Sequence, residues 1–195
     1  MNCIPKYYLA VLLLISLLGC DTIKTKKNFP DLRYTHLPTI SLSVSKVAVV
    51  NKYQSKFKKP NVESEFPILP SIALRNWFND RLSAVGGSDF IRATVLNASV
   101  VEVPLKGREG IRGIFTREQT ERYDAVLSAK IEIFDSLGVL KGTVFSEAKN
   151  SQTVAEGLTL AKRELIWFTM LEAMMKDLNR SLENQIRKFF KPWLI

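Results

Sequence analysis

Side chains with reactive chemistry are few in this 195-residue chain, which holds one histidine and two cysteines. A catalytic base must be held rigidly against its nucleophile, but His36 lies in a polar segment for which we predict no fixed structure. The carboxylate pairs Glu118/Glu121 and Glu63/Glu65 lie in basic segments, where solvated ion pairs account for them. We therefore predict that the protein is not an enzyme.

The sequence also lacks the patterns that bind metals or nucleotides. A zinc site needs clustered His, Cys or carboxylate ligands, and no such cluster occurs in the chain. The glycine-rich run over residues 107–113 lacks the Lys-Ser/Thr pair that holds phosphate and magnesium. We predict no metal and no dissociable cofactor.

The first nineteen residues have the three-part layout of a secretory signal peptide. Lys6 precedes an apolar run over residues 7–18, and the small residue Gly19 follows it. As a helix, this run rises about 18 Å, well short of the roughly 30 Å hydrocarbon core of a bilayer. We therefore predict that residues 1–19 are a cleaved signal and not a permanent anchor.

The run Leu17-Leu18-Gly19-Cys20 resembles the lipobox of bacterial lipoproteins. The resemblance implies cleavage between Gly19 and Cys20, acylation of the Cys20 thiol (palmitate is the fatty acid expected) and attachment to the periplasmic face of a membrane in a Gram-negative envelope. Asp21 resembles the signal that retains lipoproteins in the inner membrane of enteric bacteria, which favours that membrane over the outer one. Since Cys3 then leaves with the signal, no disulfide is expected.

The formal net charge of +9 favours anionic partners such as phospholipid headgroups. Nucleic acid is not expected, because the chain is predicted to be exported and carries no recognised nucleic-acid module. The candidate contacts for an anionic surface are Lys24, Lys26, Lys27, Lys52, Lys56, Lys58, Lys59, Arg108 and Arg112. A surface that merely keeps the domain soluble explains the same residues. Ile114 and Phe115, apolar side chains in a glycine-rich basic loop, are candidate contacts for a partner protein.

Hydrophobic periodicity predicts one α/β domain over residues 41–195, preceded by a tether. Residues 20–40 are polar and show neither helical nor strand period, so we predict a flexible, lipidated tether. The domain is predicted as a mixed four-stranded sheet packed with two helices, in two layers, or in three if the helices take opposite faces. In the order β-α-β-β-β-α, the predicted elements are 41–50, 71–85, 90–103, 123–134, 139–148 and a long C-terminal helix over 160–190.

This order of elements on a lipidated tether resembles the ABC-type transport auxiliary lipoproteins of Gram-negative envelopes. The resemblance rests on Leu17-Leu18-Gly19-Cys20, on the helix over residues 70–86 with Leu74-Arg75-Asn76-Trp77 and Arg81-Leu82, and on the hairpin over residues 123–148 that leads into the final helix. It implies a periplasmic, membrane-anchored domain that accompanies a lipid-shuttling transport system.

Two functions remain open from the sequence. The first is a non-catalytic adaptor or accessory subunit that binds another envelope protein or lipid through its sheet edge, its basic loops or its long helix. The second is a module that binds a lipid or another small hydrophobic ligand between the long helix and the sheet. A pocket lined by Phe168, Met170, Met174 and Met175 favours the second function, whereas a dry core with exposed apolar surface favours the first.

Overall fold

The structure of the protein, a computed structural model, describes residues 29–105, 119–155 and 157–195. Short 3-10 turns lie at Glu63–Glu65 and Lys191–Trp193. Within these ranges the strands and helices are β1 (Ile40–Leu42), β2 (Lys46–Asn51), α1 (Pro70–Arg81), β3 (Leu82–Ala84), β4 (Phe90–Pro104), β5 (Gln119–Phe134), β6 (Leu140–Ala155) and α2 (Leu160–Phe189).

The main sheet has the strand order β2-β4-β5-β6. β2 runs parallel to β4, and antiparallel pairing joins β4 to β5 and β5 to β6. In β5, Tyr123, Leu127 and Ile131 are fully buried, while Asp124 and Val126 point to the other face and are half-exposed. The predicted mixed four-stranded α/β sheet with two helices is confirmed.

Both helices pack on the same face of the sheet and contact each other. The Trp77 Nε1 of α1 donates a hydrogen bond to Asn179 Oδ1 of α2 at 2.7 Å. Four residues further along α1, the guanidinium of Arg81 pairs with Glu183 at 2.5 Å. The fold therefore has two layers, and in the described part of the chain no helix covers the opposite face of the sheet.

The long helix α2 is a single continuous element of 30 residues, one residue shorter than predicted. Thr159 is its N-cap and accepts a hydrogen bond from the backbone N–H of Lys162 at 3.4 Å. Its buried stripe runs from Trp167 to Ile186, whereas Leu165 and Phe189, near its two ends, are about half exposed. Among the residues that the structure describes, no helix is long and apolar enough to cross a membrane.

A second, two-stranded sheet changes two predicted boundaries. The strand predicted over residues 41–50 is two strands, β1 and β2, separated by Ser43–Ser45. The helix predicted over residues 71–85 ends at Arg81, because Leu82–Ala84 form β3 and pair in parallel with β1. Backbone pairing across about forty residues of sequence thus overrides a helical pattern, which sequence periodicity alone does not reveal.

Residues 29–39, which we name the strap, lie across the outer side of both helices. The Phe29 ring contacts Phe168 of α2 with ring centroids 5.1 Å apart, and Tyr34 is buried. Leu32 and Leu37 also pack against the core. The flexible tether predicted over residues 20–40 is therefore wrong for residues 29–40, because apolar side chains spaced among polar ones anchor this segment to the helices.

β6 extends to Ala155, beyond the end predicted at residue 148. The extension pairs with the first half of β5, where Asp124 faces Ser151 and Glu121 faces Val154. The polar composition of this extension does not predict a strand, because a strand whose outer face meets solvent needs few apolar residues. The hairpin itself, predicted over residues 123–148, is confirmed as antiparallel.

Candidate docking surfaces

Many of the predicted site residues lie outside the described part of the chain. These are Gly19, Cys20, Lys24, Lys26, Lys27, Arg108, Arg112, Ile114 and Phe115. The lipidation site, the cleavage site and the predicted apolar tip therefore stay predictions. Of the predicted surface contacts, the structure places Lys52, Lys56, Lys58 and Lys59.

These four lysines share one exposed loop over residues 51–60, which we name the basic loop. Lys56, Lys58 and Lys59 line a depression of about 510 Å³ whose other wall is the β4 segment around Asn97. Lys59 Nζ is 2.8 Å from Glu102 Oε1, and this hydrogen bond and the charge of Glu102 raise the pKa of Lys59. Within the described ranges, no carboxylate lies within salt-bridge distance of the other three lysines.

Glu63, a buried carboxylate, fixes the basic loop to the domain. Its Oε1 accepts hydrogen bonds from the Tyr53 hydroxyl at 2.5 Å and from the Ser55 hydroxyl at 2.7 Å. Its Oε2 accepts from Asn61 and from the backbone N–H of Val100, each at 3.4 Å. Burial raises the pKa of Glu63, but these hydrogen bonds outweigh it and hold the pKa below its ordinary value.

Phe57 lies in the basic loop and is 77% exposed, although it is a large apolar side chain. Its backbone has φ +46°, in the left-handed region that residues other than glycine rarely adopt. Sequence reasoning sought an apolar tip at Ile114 and Phe115 and missed this one. The signal was present in Lys56-Phe57-Lys58-Lys59, an aromatic ring flanked on both sides by lysines.

The end of β4 and the start of β5 lie beside the basic loop. Asn61 pairs with Val101 near the end of β4, and the backbone N–H of Glu102 donates to the Pro60 carbonyl at 2.8 Å. β4 ends at Pro104, which pairs with Glu121 near the start of β5, and residues 105–118 connect the two strands. We name this end of the sheet the basic end.

The strap brings the chain onto the domain near the basic end. Phe29 contacts Phe168, which lies in the first third of α2. The neighbouring Trp167 stacks on Phe66 at 5.1 Å and meets Tyr123 of β5 edge-on at 5.4 Å. Because Tyr123 lies near the start of β5, the first third of α2 is on the same side of the molecule as the basic loop.

A groove of about 610 Å³ lies between the strap and α2. Phe168 and Met175 contribute apolar lining, Glu172 and Lys176 are charged members, and exposed His36 is at its rim. Met170 and Met174, which are buried in the core, do not line it. Neither this groove nor the two cavities beside the basic loop lies between the long helix and the sheet.

The outer edge of β6 is long and pairs with no other strand among the residues that the structure describes. Gln185 of α2 binds the backbone of Phe145, with Nε2 donating to its carbonyl at 2.7 Å and Oε1 accepting from its N–H at 3.4 Å. Phe145 therefore directs its backbone groups away from β5, and the antiparallel pattern gives Glu147, Lys149 and Ser151 the same orientation. These residues are exposed, and Phe145 itself is 46% exposed.

Within the residues that the structure describes, no group of three His, Cys, Asp or Glu side chains is placed to hold a metal ion. The charged clusters that do form are ion pairs, such as Arg33 with Asp80 and Arg122 with Asp124, and their geometry is that of structural contacts. What the described surface offers is therefore a basic loop, a strand edge and a groove.

Comparisons with known proteins show only distant similarities. No protein-family model and no curated protein matches the chain. Among solved structures, the rare lipoprotein B from Shewanella oneidensis is similar at 12% identity and a TM-score of 0.37, covering 73% of this chain and 95% of its own. A minor lipoprotein from Acinetobacter baumannii is similar at 14% identity and a TM-score of 0.40, covering 76% and 96%. A putative lipoprotein from Caulobacter crescentus is similar at 10% identity and 0.34, covering 72% and 86%.

Proposed function

We propose that the chain is a lipid-anchored, non-catalytic accessory protein of a bacterial envelope complex, which binds an extended segment of a partner protein along β6. The free edge of β6 is the observation that carries this proposal. The lipid on Cys20 holds the domain on the periplasmic face of a membrane, with the inner membrane favoured by Asp21. The packed interface between α2 and the sheet supports an adaptor over a module that encloses a hydrophobic ligand.

An exposed strand edge is a template for another strand, because its N–H and C=O groups lack partners in the sheet. Gln185 supports this use of β6, since its primary amide already makes with Phe145 the two hydrogen bonds that a partner's peptide group makes. Beyond Phe145 the outward groups of Glu147, Lys149 and Ser151 form a further stretch for pairing. The paired charges of Glu147 and Lys149, 2.7 Å apart, give that stretch a polar outer face.

The anchor is tested by Cys20→Ser. We expect the variant to fold, because every contact described above lies within residues 29–195, and to leave the membrane fraction for the soluble periplasmic fraction. Cell fractionation followed by circular dichroism of the released protein measures both properties. A variant that stays fully membrane-bound after a high-salt wash, which releases contacts made through charge, would contradict the lipid anchor.

The strand edge is tested by Glu147→Pro, which removes one outward N–H without removing a hydrogen bond of the β5–β6 ladder. With a photocrosslinking amino acid at position 149, we expect the adduct with the partner protein to fall about tenfold, the effect of about 1.4 kcal/mol. Glu147→Ala is the matched control, because it removes the same carboxylate but keeps the N–H. Equal adducts from the two variants, with unchanged thermal unfolding, would argue against strand addition.

A further inference from the structure

We infer that Phe57 and the lysines around it insert into the anionic phospholipid surface of the bilayer that carries the anchor, as a second membrane contact that orients the domain with its basic end toward the lipid. The inference deepens the proposed function, because it assigns a membrane contact to the folded domain itself. It rests on the lipid anchor for the identity of the membrane, and its test is made without that anchor.

The first observation is the exposure of Phe57. Transfer of a ring that is 77% exposed from water to the headgroup region of a bilayer is favourable, because apolar side chains meet acyl chains there. Neighbouring lysines keep their charges in the polar layer. Lys56, Lys58 and Lys59 lie within two sequence positions of Phe57. A loop that merely keeps the domain soluble explains the exposed lysines. It does not explain the exposed aromatic ring.

The second observation is that most lysines of the basic loop form no ion pair with the described part of the chain. Within the described part of the chain, Lys59 is the one lysine of the basic loop with a carboxylate at hydrogen-bond distance, that of Glu102. Lys52, Lys56 and Lys58 have none within the described ranges, so their charge is free to meet phosphate groups. An anionic bilayer supplies a dense layer of such groups, which a single small anion does not.

The third observation is that the loop is held in place before it meets a membrane. The left-handed backbone at Phe57 is an uncommon conformation, and buried Glu63 fixes Tyr53 and Ser55 on one side of it and Asn61 on the other. A loop already fixed in its binding conformation loses little conformational entropy when it binds. The ring is therefore presented to the membrane as a fixed tip.

The fourth observation is the length of chain between the predicted lipid and the domain. Eight residues lie between Cys20 and Phe29, and the nine Cα–Cα steps that join the two residues reach about 30 Å at most. Phe29 lies on the first third of α2, on the same side as the basic loop. The anchor therefore keeps the basic end near the bilayer and raises the local concentration of lipid at Phe57.

The insertion is tested with the chain from residue 20 onward carrying Cys20→Ser, so that no attached lipid contributes. Phe57→Trp in this background is mixed with vesicles of equal phosphatidylglycerol and brominated phosphatidylcholine. We expect about twofold quenching of the added fluorescence, because the bromines lie below the headgroups. Leu137→Trp is the matched control, since Leu137 is 87% exposed in the β5–β6 turn at the opposite end of the sheet, and it should not be quenched.

The charges are tested by co-sedimentation with the same vesicles. Lys56→Glu with Lys58→Glu should weaken binding about tenfold, whereas Lys188→Glu with Lys191→Glu changes the net charge equally at the far end of α2 and should leave binding within about twofold. Equal losses from the two pairs, equal quenching at positions 57 and 137, or equal binding to purely phosphatidylcholine vesicles would each overturn the inference. A high-salt wash removes this charge-dependent contact from the fractionation of Cys20→Ser but would not remove an attached lipid, so the two proposals fail separately.

Discussion

Replacing Trp77 with alanine is expected to lower the free energy of unfolding by about 4 kcal/mol, the largest effect of any single substitution considered for this protein. Trp77 is fully buried where α1, α2 and the sheet meet, and its ring meets Phe78 edge-on at 5.8 Å. Alanine leaves a cavity there and also leaves Asn179 Oδ1 without its indole donor. Urea denaturation followed by circular dichroism measures the change.

Trp77→Phe separates the two contributions to this effect. Phenylalanine keeps most of the ring contact but removes the hydrogen bond to Asn179, so we expect a loss of about 1–2 kcal/mol. Trp193→Phe is a matched control at the other end of the domain, where the ring is only half-buried and its Nε1 bonds Asp89. If Trp77→Ala lowered the free energy of unfolding by less than Trp193→Phe does, the contact between the two helices would not have the central position described.

Asp80→Ala is expected to release the strap and to lower the free energy of unfolding by about 2–3 kcal/mol. The Asp80 carboxylate is buried and accepts hydrogen bonds from Arg33 Nε at 2.8 Å and from the backbone N–H of Tyr34 at 2.8 Å. A second guanidinium hydrogen bond makes the Arg33 contact bidentate. Without this acceptor the strap loses its central polar attachment to α1.

Amide hydrogen exchange gives the sharpest measurement of the strap. In Asp80→Ala we expect faster exchange over residues 29–39 and little change in β5, whose ladder the strap does not touch. Asp31→Ala removes an exposed carboxylate from the strap itself and should leave exchange unchanged. Unaltered protection of the strap in Asp80→Ala would show that its apolar contacts suffice.

The Asp80 contact also predicts a dependence of stability on pH. The hydrogen bond from Arg33 is the main cause that holds the pKa of Asp80 below its ordinary value, and burial opposes it. The unfolded chain therefore binds a proton at higher pH than the native one. The stabilisation is complete above the unfolded carboxyl pKa of about 4 and is lost as the pH falls through the lower native pKa. The gap in stability between the protein and Asp80→Ala should narrow accordingly on acidification.

Sequence reasoning succeeded where one physical pattern dominates an element. The alternation around Tyr123 and the helical stripe around Leu171 reflect burial on one face, which periodicity reports directly. It failed where pairing decides the structure, as at Leu82–Ala84, which form a strand because Ile40–Leu42 lie beside them. No local pattern contains that partner.

The sequence identified the charged residues of the candidate site but not their arrangement in space. The lysines of the basic loop were identified from composition, but their position beside β4 depends on Glu63, whose hydrogen bonds join Tyr53 to Val100 across almost fifty residues. Glu63 itself was interpreted as a solvated carboxylate, and it is buried. Phe57 was overlooked because an isolated aromatic residue in a loop is distinctive only once its exposure is known.

The polar contacts between the two helices join residues that are 102 positions apart in the chain, at Trp77 with Asn179 and at Arg81 with Glu183. The C-terminal helix α2 is therefore needed to complete the packing of α1 and of the strap. The fold cannot be completed until nearly all of the chain is available. Such long-range closure slows folding, because distant parts of the chain must meet before the contacts can form.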